Sequence, residues 1–229
     1  MIYPEVTHGN PFNASRIVNW ILYFPGHHGG PSEDSYDAKS LIACFSPGFC
    51  RAFNTSLYEI AHLRVSDAQF SYLSNLPAVK QREGNINFRA KDTFYSSRRG
   101  TITRNDTFPH SGMTLAPTTG KRQRLEMFAR AESLYSLDAV TFRSVEAAMA
   151  GAMSVVIPVE GVSRQEWLET AGDEMAYGVA YGIDDISHAR ATQHLVTPHL
   201  RRLANAGDHQ VRTFVRKAYS FFEQQKTEQ

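Results

Sequence analysis

Residues 134–158 read LYSLDAVTFRSVEAAMAGAMSVVIP, and the fold turns on how this stretch is parsed. Val155, Val156 and Ile157 form a short apolar run stopped by Pro158, the pattern of an interior strand in a parallel sheet. Ahead of it, Val145 to Ala150 favours helix, and Gly151 can take the left-handed conformation that closes one. The small side chains of Ala147, Ala148 and Ala150 let such a helix lie close to a sheet. Asp138 follows an apolar-aromatic segment, and Glu146 sits near the helix start, where outward-pointing N–H groups favour anions. A helix, a glycine and a buried strand make one α/β unit with the layout of a ligand site.

Working outward, strands and helices alternate from Asn85 to Leu203, which predicts a Rossmann-like three-layer α/β fold. A parallel sheet is expected with helices on both faces, and ligands in such sheets sit beyond the carboxyl ends of the strands. Asn87 to Tyr95 is strand-like, and Ser96-Ser97-Arg98-Arg99-Gly100 is the turn leaving it. Two guanidinium groups on a glycine turn suit phosphate, through paired side-chain donors and backbone N–H groups. Lys121 follows Gly120 and opens a helix expected to continue to Ala131. A lysine there opposes the helix dipole and points to an anion. Gly161 frees the loop after Pro158, and Ser163 with Glu166 forms a capping box for a helix carrying Trp167. Gly100, Asp138 and Gly161 all fall near carboxyl ends of predicted strands, which argues for one shared site. TTGKRQ is not a P-loop, because the glycine spacing is absent and Arg122 stands where a magnesium-binding Ser or Thr belongs. An ATPase reading is therefore excluded. The region from Lys80 to Arg130, rich in lysine and arginine, otherwise reads mostly as a basic solvent face.

Toward the C-terminus, Ala176 to Gly182 reads as an edge strand or extended segment, and Asp184 or Asp185 begins a helix through Thr192. A final helix from about His209 to Gln224 carries Val211, Phe214, Val215, Ala218, Phe221 and Phe222 at helical spacing, which is a core-packing pattern. Toward the N-terminus, a helix is expected through Arg16 to Leu22, ended by the glycine-rich loop Pro25–Pro31 with His27 and His28. Adjacent histidines diverge on a loop, and no Cys or Asp/Glu cluster at ligand spacing follows, so no metal site is expected. Short strands are expected near Ser40–Ala43, Leu57–Ala61 and Ala68–Tyr72. The resulting domain plan is a lead-in segment with a glycine-rich loop over 1–30, then one Rossmann-like domain over 31–225.

With 229 residues, 42% hydrophobic, 21% charged and a net charge of +1, the chain has an ordinary globular composition. Disorder, a collagen-like fibre and a nucleic-acid-binding tail are disfavoured. Cys44 and Cys50 can pair, but two thiols make no disulfide framework, so a reducing, cytoplasmic setting is expected. The opening MIYPEV lacks the basic-then-apolar pattern of a signal peptide, and no apolar run reaches membrane-spanning length. Peripheral attachment to a membrane enzyme complex stays compatible with this pattern.

Asp138, seven intervening residues, Glu146, then AAMAG and the strand VVIP together resemble the nucleotide-sugar-binding half of retaining GT-B glycosyltransferases. That family has an acidic pair at this spacing, the second acid opening an E-A-x-x-x-G helix before a V-V-x-P-like strand. Here the first acid is aspartate rather than glutamate, and AVTFRS replaces the usual glycine-rich stretch. The segments YPEVTHGNPFNASRIVNWILYFPGHHGG, SRRG and PVEGVSRQEWL are also similar to bacterial glycosyltransferases of surface-polysaccharide synthesis.

The resemblance implies transfer of a sugar from a nucleoside-diphosphate sugar to a glycan acceptor, with no further cofactor. Glu146 would hold the ribose hydroxyls and Asp138 the donor-sugar hydroxyls. Arg98 or Arg99, with Lys121, would neutralise the diphosphate, and no metal is then required for the leaving group. His28 is a candidate acceptor-side base, and the chain is short for two full halves, so either a partner domain, a missing region or a second copy completes the cleft, or the chain is a compact or degenerate member. The alternatives are a non-catalytic nucleotide or sugar-phosphate binding module, and a structural α/β protein with a basic interaction face.

Overall fold

A computed structural model describes residues 1–27, 29–64, 81–88 and 111–227. The chain divides into two compact units, Met1–Asp67 with Arg202–Gln229, and Ala68–Arg201. Each is built on an all-parallel sheet, and together they give a Rossmann-like α/β architecture.

The first unit holds β1 (Ile2–Pro4), β2 (Val18–Ile21), β3 (Leu41–Cys44) and β4 (Ile60–His62), in that spatial order. Two expectations are corrected here. Residues 1–30 are not a lead-in, because β1 and β2 pair with each other and β2 pairs with β3. The segment expected as a helix from Arg16 to Leu22 is instead β2. Val18 and Trp20 face one side of the sheet, while Asn19 and Ile21 are buried on the other. A strand buried on both faces shows adjacent apolar residues, and over four residues that pattern is indistinguishable from one turn of helix. Val18, Leu41, Ala43, Ala61 and Leu63 pack against Phe214 and Phe222 of the last helix, α6 (Gly207–Thr227). Aromatic rings from the connecting segments, Tyr36, Phe53 and Tyr58, form a second buried group. Burial is the leading cause that raises the Tyr36 hydroxyl far above the ordinary tyrosine range, with the Glu5 and Glu33 charges adding to it. Cys44 and Cys50, which the sequence allows to pair, are joined as a disulfide with their Cα atoms 6.1 Å apart.

The second unit is a five-stranded sheet in the order β6-β5-β7-β8-β9, formed by Asn85–Phe88 (β5), Met113–Leu115 (β6), Ser133–Ser136 (β7), Met153–Val156 (β8) and Val179–Tyr181 (β9). Helices α1 (Lys121–Arg130) and α2 (Phe142–Met149) cover one face. Leu125, Phe128 and Ala147 there meet Ile86, Phe88 and Leu134. On the other face α4 (Ile186–Thr192) sets Ala189 and Ile186 against Val155 and Ala180. Helices on both faces make this unit the expected three-layer arrangement. α3 (Arg164–Ala171) begins as its capping box predicts, with the Ser163 hydroxyl accepting from the Glu166 N–H. The division between the units falls within α5 (Val196–Asn205), a helix not expected as a separate element. Among the described residues no helix is long and apolar enough to cross a membrane.

Arg82 holds the second unit together at the opposite end of the sheet from the strand carboxyl ends. Its guanidinium donates to the carbonyls of Phe128 and Ala129, which end α1, and to that of Ala150, which ends α2. Gly151 makes room for it. At φ +90° the residue lies in the region that favours glycine, and a Cβ there would clash with the Arg82 Nη2 atom. Gly151→Ala is therefore expected to cost about 2–4 kcal/mol, from the backbone penalty plus displaced carbonyl bonds. In an Arg82→Ala background the same change costs less, because the clashing group has gone. Urea denaturation of the two single variants and the double variant measures the difference. Equal costs of Gly151→Ala in both backgrounds would show that Arg82 does not fill this space.

Candidate functional site

From β5 the chain passes to β6 on one side and then to β7 on the other, so the strand order reverses between β5 and β7. Segments leaving neighbouring strands diverge at such a point and leave a crevice at their carboxyl ends. Around it stand the start of α1, the loop from Leu137 to Thr141, and the start of α2.

The loop after β7 is fixed by its own side chains. The Ser136 hydroxyl accepts from the Asp138 N–H at 3.1 Å and donates to the Asp138 carbonyl at 2.8 Å. The Asp138 carboxylate accepts from the Val140 N–H at 3.2 Å, a short-range turn typical of aspartate. One residue on, the Ala139 carbonyl accepts from the indole N–H of Trp167 at 2.7 Å. Trp167 is completely buried and stacks on Tyr181, whose hydroxyl accepts from the Val159 N–H. Thr141 then caps α2, its hydroxyl facing the Arg143 N–H. Asp138 is thus presented by a loop braced from two sides.

Glu146 lies inside α2 and is buried. Arg124 of α1 meets it with a two-point grip, Nε to Oε2 at 2.7 Å and Nη2 to Oε1 at 2.8 Å. Its third arm, Nη1, donates to the Thr119 carbonyl at 2.8 Å. Planar guanidinium and carboxylate match in this geometry, and the shielded setting strengthens the attraction. Arg143 stands beside the pair, its guanidinium 4.2 Å from the centre of the Phe88 ring and bonded to the Pro117 carbonyl. Burial and the neighbouring charge of Arg124 lower the Arg143 pKa from the ordinary guanidinium value, while Glu146 and Asp138 pull it back up. One cluster therefore joins Arg124, Arg143, Asp138 and Glu146.

The expected residues are distributed as follows. Asp138 and Glu146 come together electrostatically around Arg143. Lys121 is the first residue of α1, one turn before Arg124, and Gly120 caps that helix without a side-chain bond. Gly161 follows β8 with φ +72° and forms the turn before α3. Arg98, Arg99, Gly100 and His28 lie outside the described residues. His27, next to the last of these, belongs to the first unit, where it is buried against Tyr23 and Phe24.

Sequence reasoning missed Arg124 and Arg143. Arg124 falls in the stretch that reads as a basic solvent face, yet only 12% of its side chain is exposed. A signal was present, because Arg124 precedes the inward-facing Phe128 by one helical turn and so shares its face. Arg143, in the first turn of α2, opposes the helix dipole as Lys121 does. Among the described residues no group of three His, Cys, Asp or Glu side chains is placed to hold a metal ion. Cationic and acidic side chains thus gather on the α1–α2 face of the second sheet, near its strand carboxyl ends.

Comparison with protein-family models, with curated proteins and with solved structures finds no match to this chain.

Proposed function

We propose that the chain is a glycosyltransferase of the GT-B type that transfers a sugar from a nucleoside-diphosphate sugar to a glycan acceptor, with the second unit as its donor-binding part. The observation that carries this reading is the buried Arg124–Glu146 pair with Arg143 beside it and Asp138 within its electrostatic reach, near the strand-order reversal of a parallel sheet. In this reading Glu146 receives the ribose diol on lone pairs that Arg124 leaves unused, and Asp138 receives donor-sugar hydroxyls. Arg98, Arg99 and Lys121 neutralise the diphosphate, whose charge grows as it departs. His28 serves as acceptor-side base. A GT-B enzyme has two Rossmann-like halves, and this chain has two parallel-sheet units, which supports the reading over a single donor half.

One observation favours a second reading, a nucleotide or sugar-phosphate binding module without turnover. Both Glu146 oxygens already accept from Arg124, which is the arrangement of a structural pair. Calorimetric titration with UDP, GDP, ADP and their sugars tests both readings. Saturable binding to the parent chain is expected, weakened at least tenfold by Lys121→Ala and by Asp138→Ala, as loss of a charge-assisted contact predicts. Absence of binding to every nucleoside diphosphate would defeat both readings. Binding without sugar transfer across a broad set of glycan acceptors would select the second.

A further inference from the structure

We infer that α6 carries a docking face for an anionic lipid surface, made of Val211, Val215 and Tyr219 with Arg212 and Arg216 beside them. This inference does not rest on the donor site. The helix buries one face against the first sheet through Phe214 and Phe222, with Ala218 and Phe221 partly buried at its margin. Residues 211, 215 and 219 follow one another at intervals of four and form a stripe along the margin of the buried face, since Val211 and Val215 lie two turns before Ala218 and Phe222. That stripe is in water, at 37%, 42% and 65% exposure respectively. Solvent-facing helix positions are ordinarily polar, and a stripe of two valines and a tyrosine over two turns departs from that rule.

The charges on the helix define what covers the stripe. Lys217 is matched by Glu59, while Glu223 is matched by Arg16 and Lys226. Arg212 and Arg216 are exposed, and among the described residues neither is paired with an acid. They stand one position after each valine, about a quarter turn round the helix from the stripe, and the exposed Asp208 lies one turn before Arg212. A second copy would bring two more arginines against these two and be repelled. An acidic protein helix matches the charge but needs its apolar residues cradled, and a stripe one residue wide on a single helix supplies no cradle. A bilayer interface needs none. Valines enter the headgroup boundary, tyrosine sits at that depth with its hydroxyl in water, and arginines meet lipid phosphates.

The test is flotation of the full chain with vesicles of phosphatidylcholine alone and with about a third phosphatidylglycerol, a composition that gives a negative surface potential. Binding is expected only to the anionic vesicles and should be released by raised salt. Arg212→Gln and Arg216→Gln each lower the partition coefficient about fivefold, and Val215→Asp abolishes it. All three positions are exposed, and unchanged Trp20 fluorescence in a Trp167→Phe background confirms the fold of the first unit. Equal binding to both vesicle types, or parent-like binding by the Arg212→Gln/Arg216→Gln variant, would overturn the inference. A dimer in light scattering that Val215→Asp dissolves, without vesicle binding, would overturn it in favour of a second copy.

Discussion

Replacing Phe214 and Phe222 together by alanine unfolds the first unit. Both rings are buried, and both pack on the face of the first sheet made by Val18, Leu41, Ala43, Ala61 and Leu63. A single buried Phe→Ala change costs about 3–5 kcal/mol, from lost transfer energy plus the cavity left behind. Two such changes in one small core approach the whole stability of an ordinary domain, about 5–15 kcal/mol. They share neighbours, so the sum is not strictly additive, but relaxation into one larger cavity cannot restore two aromatic rings. An all-parallel sheet has no stable solvent-facing form, because its strands are apolar on both faces. Trp20 reports the event, since its indole N–H donates to the Leu63 carbonyl at 2.8 Å beside this core. The double variant, carrying Trp167→Phe so that Trp20 alone emits, is expected to show the red-shifted emission of a water-exposed indole. A parent-like emission and urea midpoint would show that α6 is not the cover of this sheet.

The two units differ in how far they could be read from sequence, and the reason is physical. In the second unit the local signals agree with one another. Ser163 and Glu166 form a cap, Gly151 ends a helix at φ +90°, and Val155 and Val156 enter a buried strand flanked by helices on both faces. Each of these is a short-range effect that the sequence states directly. In the first unit no described α-helix lies between its strands, and those strands are only three or four residues long. Val18 to Ile21 is too short to show a period, so only its pairing with Leu41 to Cys44 makes it a strand. The contribution of α6 was equally hidden. Its apolar spacing predicted a packed helix, but not that its partners lie more than a hundred and fifty residues earlier in the chain.

At the candidate site the same division holds. Asp138 and Glu146 were legible because acid spacing and a helix start are local. Their partner Arg124 was not, since the Glu146–Arg124 contact spans 22 residues and depends on α1 and α2 lying side by side. A lysine- and arginine-rich segment looks like a solvent face until packing turns one residue inward.

That inward residue sets the final expectation. With side-chain exposures of 12% and 7%, the Arg124–Glu146 pair is close to fully buried, so removing either partner strands a charge away from water. The cost for such a change is about 3–5 kcal/mol, but the two variants should differ in a definite order. Arg124→Ala leaves Glu146 within reach of the Arg143 charge, which can take over part of the compensation. Glu146→Ala leaves Arg124 and Arg143 facing each other with their main neutralising group gone, so it should be the more costly change. Replacing both, as Arg124→Met with Glu146→Leu, removes the stranded charge and should cost less than either single loss, as apolar replacement of buried pairs commonly does. The cycle is read from urea midpoints at near-neutral pH. Additive costs, or a Glu146→Ala variant more stable than Arg124→Ala, would mean that the two guanidinium groups do not share this carboxylate. The reverse outcome, strong coupling with the predicted order, makes Glu146 the anchor of the cationic cluster. Nucleoside-diphosphate binding should then weaken in Arg124→Ala as well, through displacement of Glu146 rather than loss of a direct contact. Arg124→Lys separates the two roles, since it keeps the charge but loses the two-point grip. It should leave diphosphate affinity reduced even where stability is largely restored.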